Sequence, residues 1–237
     1  MANNGSVQAA VYNALKKNIM NLQLKPGAEM STQEIAEKLN VSRTPVREAF
    51  IRLQRDGLLD IFPQKGTFVS KIRLSRVQQE RFIRESLECA NMEQLTHCCK
   101  LEYMEQLETN IEKQEEAVAK SNFPALMDLD NEFHELTFYA TGQILAWETI
   151  LSTSNHYSRI RNITAQDNNI MKKVVLEHQE ILQAIQDGSA KYAKSFMKNH
   201  LHKLEDQLSS IIKQNPDFFV QEEVSNQDRF EMLLTEN

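Results

Sequence analysis

The stretch VSRTPVREAFIRLQRDGLL, residues 41–59, decides how the chain is read. It sets Arg43, Arg47, Arg52 and Arg55 within thirteen positions of a protein whose formal net charge is −6. Ser42 or Thr44 can cap a helix here, and Pro45 falls in its first turn, where a missing N–H costs nothing. Val46, Phe50 and Leu53 make one stripe at helical spacing, and the opposite face shows Arg43, Thr44 and Arg47. Gly57 ends the helix.

Upstream, SVQAAVYNALKKNIMNLQL carries Val7, Val11, Leu15, Ile19 and Leu22 at three- and four-residue steps, an amphipathic helix. Pro26-Gly27 stops it. STQEIAEKL then opens on Ser31 with Glu34 three residues on, a capping-box pattern, and Asn40 suits the left-handed turn between two helices. Downstream, LLDIFPQKGTFVS reads as two short strands around a Pro-Gln-Lys-Gly turn. Three helices and a hairpin wing in this order make a winged helix-turn-helix, whose second motif helix enters the major groove of double-stranded DNA. Arg43 and Arg47 then face bases or phosphates, and Ser42 and Thr44 face backbone oxygens. Lys65 and Gly66 sit at the wing tip, near a phosphate or the minor groove. Arg52 and Arg55 lie further along, as support on the flanking backbone or as a solvated face.

The charge divides where this module ends. Residues 1–74 hold 11 Lys and Arg against 6 Asp and Glu, whereas residues 75–237 hold 16 against 27. A basic module suits a polyanion, and an acidic one is repelled by it. We therefore divide the 237 residues into a DNA-binding domain at 1–74, a second domain at 75–214 and a tail at 215–237. Only 6 Gly and 5 Pro point to a mostly helical protein. Cys89, Cys98 and Cys99 lack CxxC spacing, which argues against a disulfide framework or a thiolate zinc site. No apolar run approaches the ~20 residues of a membrane span, and the N-terminus does not read as a signal peptide. The expectation is a cytoplasmic protein with no membrane partner.

From Ser75 onward nearly everything reads as helix. Turn signals at Ser121–Pro124, Thr141-Gly142, Asp167–Asn169, Asp187-Gly188 and Asn215–Pro216 cut the region into six or so helices, an all-α bundle. His178 lies 10 residues before Gly188 and His200 lies 12 after it. At ~1.5 Å per residue both sit roughly 15–18 Å from the bend, level on antiparallel neighbours. Asp130 and His134 are spaced i, i+4 on one helical face. These four side chains could converge inside the bundle, as metal sites in helical bundles do. His97, His156 and His202 read as hydrogen-bonded or exposed histidines. Glu135 and Glu177 adjoin the candidate ligands in sequence but are expected to point away from them. The tail from Pro216, with RFEMLL, reads as either a docked helix or a free end.

VSRTPVREAFIRLQRDGLLDIFPQKGTFVS resembles the helix-turn-helix and wing of the GntR family of bacterial transcription regulators, a likeness extending over residues 7–73. Phe50, Asn40 and Gln33 depart from its common residues. LMDLDNEFHELTFYATG and LEHQEILQAIQDGSAKYAKSFMKNHL resemble the FCD domain, the helical ligand-binding domain of FadR-like members, over residues 79–213. Gln143 departs from the Gly-Asn usual after its His-bearing helix. The resemblance implies that Asp130, His134, His178 and His200 hold a divalent ion at the floor of an effector pocket. An Asp/His₃ set favours zinc or nickel. A small carboxylate would complete the coordination, and an arginine would bind its far end. Arg84 lies where FCD domains often carry an inward arginine; Arg159 and Arg161 are the next candidates. The function expected is a homodimeric transcription regulator, a repressor, acting on a near-palindromic operator and controlled by an organic acid. Two alternatives compete with it: a metal sensor in which the ion is the signal, and, remotely, a metal-dependent hydrolase.

Overall fold

The computed structural model describes residues 4–165 and 167–221. Helix α1 (Asn4–Met20) buries Val11, Leu15 and Ile19 against Val46, Phe50 and Leu53 of α3 (Arg43–Arg55), so the two apolar stripes read from spacing meet face to face. Between them α2 (Thr32–Leu39) opens on Ser31, whose Oγ accepts the Glu34 N–H at 3.4 Å. It closes on Asn40 at φ 51°, the left-handed turn between the motif helices. Ser42 takes the N-cap position of α3 but makes no side-chain capping bond. Its hydroxyl is exposed.

The wing is an antiparallel hairpin of β2 (Leu59–Phe62) and β3 (Gly66–Val69), with Gln64 at φ 64° and Gly66 at φ 114° in its turn. A strand not read from the sequence, β1 (Glu29–Met30), pairs with the other edge of β3 and gives the sheet order β1-β3-β2. Two residues are too few to show a period of two.

Seven helices follow among the described residues: α4 (Leu74–Cys98), α5 (Leu101–Ala119), α6 (Phe123–Thr141), α7 (Ile144–Thr153), α8 (Asn155–Thr164), α9 (Asn168–Gln186) and α10 (Ala190–Gln214). Four of the expected turn signals separate these helices, and the fifth, Asn215–Pro216, ends α10. The α7–α8 break at Ser154 has no Gly or Pro to announce it. A distant carboxylate makes it: Glu80 Oε2, on α4, accepts the N–H groups of His156 and Tyr157, both at 2.8 Å. A carboxylate at a helix start satisfies orphan donors and suits the dipole.

A separate apolar cluster lies where the two halves of the chain join. Ile72 of the connecting segment packs with Val77, Tyr157, Ile160, Leu204, Ile211 and Phe219. Past α10, a 3₁₀ turn at Pro216–Phe218 leads into Phe219, which bridges Ile72. The Ile72 N–H donates to Phe218 O at 2.8 Å and the Val220 N–H to Ile72 O at 2.9 Å. The start of the tail is thus docked, and RFEMLL lies outside the described residues. None of the described helices is long and apolar enough to cross a membrane.

Candidate metal centre and nucleic-acid interface

Helix α6 starts on Asn122, whose side chain accepts the Ala125 N–H, and ends on Gly142 at φ 74°. Between these caps Asp130 and His134 share its inward face, both buried. His178 on α9 is fully buried, and His200 on α10 is partly so. One ligand atom from each of the four lies within 4.8 Å of the others. His134 Nε2 faces His200 Nε2 at 3.3 Å, and His178 Nε2 lies 3.9 Å from Asp130 Oδ1.

The opposite ring nitrogens fix what those Nε2 atoms are. His134 Nδ1 is bonded to Glu88 Oε2, and His200 Nδ1 lies 2.8 Å from Glu177 Oε2. Ionised carboxylates only accept, so both Nδ1 atoms carry the hydrogen. His178 Nδ1 lies 2.8 Å from Gln114 Oε1. That amide is oriented in turn: Asn110 Nδ2 donates to Leu129 O at 3.1 Å, and Gln114 Nε2 donates to Asn110 Oδ1 at 2.6 Å. Gln114 Oε1 is left as the acceptor. All three Nε2 atoms therefore present lone pairs to the centre of the cluster. Burial holds the three imidazoles below the usual histidine range, His200 at about 4.

Lone pairs facing each other at 3.3 Å repel, and among the described residues the buried His178 Nε2 has no hydrogen-bond partner at all. A divalent ion would remove both conflicts. The donor set of three imidazoles and one carboxylate, each imidazole held from behind, fits zinc or a neighbouring first-row ion.

The expected arginines separate. Arg84 is buried beside the cluster, its Nε donating to Glu88 Oε1 at 2.5 Å while its Nη2 has no partner among the described residues. Burial opposes the Glu88 charge, but Arg84 and His134 outweigh it and hold that carboxyl well below the usual range. Arg161 reaches the cluster from α8, donating to Asp130 Oδ2 and, at 3.0 Å, to Asn131 Oδ1. Arg159 is not brought to the cluster. Its Nη1 donates to Ser70 O at 2.6 Å, and its Nη2 lies 3.1 Å from His156 Nδ1. Two positions along a helix turn a side chain to another face, and Arg159 is spent on the connecting segment.

Sequence reasoning missed Glu88 and Gln114, and misplaced Glu177. Glu177 points toward the site because α10 runs alongside α9, which brings His200 and Lys203 to its carboxylate. Glu135 does turn away, accepting Trp147 Nε1 at 2.9 Å. A cleft of ≈ 70 Å³ leads to the cluster, lined in part by Asp130, Tyr157, Arg161, Glu177, His200 and Lys203.

In the N-terminal domain Ser42 at the N-cap and Arg43, Thr44 and Arg47 on α3 are exposed, and Lys65 is exposed at the wing tip next to half-buried Gly66. Arg52 packs its guanidinium 3.9 Å over the Tyr12 ring, a contact within the domain that the sequence did not suggest. Gln33 is tied to its own helix, donating to Glu37 Oε1 at 3.0 Å.

The family model for bacterial regulatory proteins of the gntR family matches residues 7–69, and that for the FCD domain matches residues 81–203. The chain belongs to the GntR family. It is 31% identical over 216 residues to the HTH-type transcriptional repressor RspR of Escherichia coli strain K12, covering 91% of this chain and 95% of that protein. To the HTH-type transcriptional regulator LutR of Bacillus subtilis strain 168 it is 27% identical, over 83% of this chain and 99% of the relative. Among solved structures, E. coli McbR/YncC superposes with a TM-score of 0.73 at 19% identity, over 90% of this chain and 99% of that one. A putative GntR regulator from Rhodococcus sp. RHA1 has the same score at 22% identity, over 88% and 98% of the two chains. These two show the fold. As a GntR regulator with an FCD domain, the chain is a DNA-binding transcription regulator and not an enzyme.

Proposed function

We propose that this GntR regulator is a homodimeric repressor whose hold on a near-palindromic operator is set by a small carboxylate bound at a metal ion in the FCD domain. The observation that carries the reading is the buried Nε2 of His178, without a partner among the described residues, in a cluster where every imidazole nitrogen facing away from the centre is already held. Asp130, His134, His178 and His200 hold the ion, zinc or nickel, which supplies a Lewis-acidic centre for carboxylate oxygens. Arg84 is the residue for the far end of the effector, since its Nη2 is buried without a partner among the described residues. Arg161 and Lys203 add positive charge at the cleft.

On the DNA side, Arg43 and Arg47 are the base and phosphate readers, Ser42 and Thr44 position the helix, and Lys65 with Gly66 brings the wing to the backbone. One such helix makes few base contacts, and a two-fold dimer doubles them. The test is binding of the full chain to the DNA fragment upstream of its own gene, with a panel of small carboxylates, before and after chelation. The reading expects one acid to release the DNA only when metal is present. If chelation alone releases the fragment and zinc alone restores it, the ion is the signal and the effector reading is wrong.

A further inference from the structure

Helix α8 has two ends of business. Toward the cluster it sends Arg161, which holds the ligand carboxylate Asp130 and its neighbour Asn131. Toward the DNA-binding half it sends four side chains to three separate pieces of that half. Asn155 Nδ2 donates to Asp56 O, the C-cap of the recognition helix α3, at 2.8 Å. Asn162 Nδ2 donates to Met20 O, the last residue of α1, at 3.0 Å. Arg159 Nη1 donates to Ser70 O, and His156 Nδ1 accepts the Arg73 N–H at 3.2 Å, both on the segment joining the domains. Tyr157 and Ile160 on the same helix are buried with Ile72 of that segment.

We propose that α8 is the element that couples the metal site, and the effector read there, to the recognition helix, with Arg161 as its contact at the site and Asn155 and Asn162 as its contacts on the DNA-binding domain. The proposal rests on the reading of the cluster as a metal site. Asp130 faces both ways: its Oδ1 lies 3.9 Å from His178 Nε2 in the cluster while its Oδ2 accepts from Arg161, so an ion held on Oδ1 would draw charge from the bond that ties α8 to the site. The helix is ten residues long and short helices move as units, so a change at Arg161 is felt at Asn155 and Asn162. No residue of α8 touches DNA in the reading above, which separates conveying the signal from reading the operator.

The test is hydrogen exchange on the full chain with and without zinc, for the wild type, Asn162→Ala and Asn155→Ala/Asn162→Ala. In the wild type zinc is expected to slow exchange roughly tenfold in α6 and α9 and also in residues 52–58 and 70–73. In the double variant the slowing stays in α6 and α9, zinc affinity is unchanged, and the slowing at 52–58 and 70–73 is lost. Asn162→Ala, at a half-buried position, gives a partial loss and guards against a double variant that fails to fold. Full slowing at 52–58 and 70–73 in a folded double variant overturns the proposal. So does slowing in wild-type α6 and α9 with none at 52–58, which leaves the metal site standing. If zinc slows neither α6 nor α9 in the wild type, the metal reading itself fails.

Discussion

Glu88 joins the two halves of the candidate site. One carboxylate oxygen fixes the tautomer of His134 and the other holds Arg84, so a single buried charge orients a metal ligand and the arginine assigned to the effector. Replacing Glu88 by Gln leaves the four ligands in place but lets His134 choose the wrong tautomer. Loss of such a supporting partner costs roughly 10–100-fold in metal affinity, and a competition titration with a coloured chelator should read that drop. A variant that binds zinc as tightly as the wild type would mean that Glu88 serves packing alone. On the DNA side, Arg43→Ala should weaken binding to the specific fragment by about 1–3 kcal/mol, if the side chain reads a base. Lys71→Ala, off the recognition helix, should do far less. Equal losses in a fluorescence-anisotropy titration would place the reading residues elsewhere. The ligands were legible because Asp130 and His134 are fixed by i, i+4 spacing, and His178 and His200 by distance from one glycine turn. Glu88, Gln114 and Glu177 were not. Whether a polar residue turns toward a site depends on which face a neighbouring helix covers, and chain spacing does not carry that.

Among elements, many helix ends are marked by caps and breakers, whereas the start of α8 and strand β1 have tertiary causes. The start of α8 is held by Glu80, more than seventy residues away, so no local signal marks it. Strand β1 exists because β3 offers an open edge. Helix α8 also carries a pH-sensitive contact outside the metal site. Burial, with Arg159, Arg76 and Arg73 around it, pushes the His156 imidazole down to about 3. The unfolded chain takes up that proton near the ordinary value of about 6.5. Between the two values the unfolded state binds more protons. The contribution of a neutral His156 is therefore complete above the ordinary value and is lost as pH falls toward the folded one, at no more than about 1.4 kcal/mol per pH unit. Calorimetry on His156→Gln should show it less stable than the wild type at neutral pH, with the gap narrowing on acidification. A gap independent of pH would contradict a neutral, accepting His156.

For the whole molecule, the charge division seen in composition corresponds to two domains of opposite duty. The basic half carries an exposed arginine face and the acidic half a buried cluster of metal-binding character. What composition could not convey is the joint. Ile72, Phe219, Asn155 and Arg159 come from distant parts of the chain, and only the fold brings them together. The DNA contacts proposed for the basic half are mainly electrostatic, so affinity for the operator fragment should fall steeply with added salt. A flat salt dependence would argue against phosphate contacts from α3 and the wing. The central claim is that the FCD domain holds a divalent ion on Asp130, His134, His178 and His200. Its most direct test is elemental analysis of the wild type and of His178→Ala after loading with zinc and dialysis. The account predicts about one zinc per chain in the wild type and close to none in a folded His178→Ala variant. Equal zinc in the two proteins would contradict it.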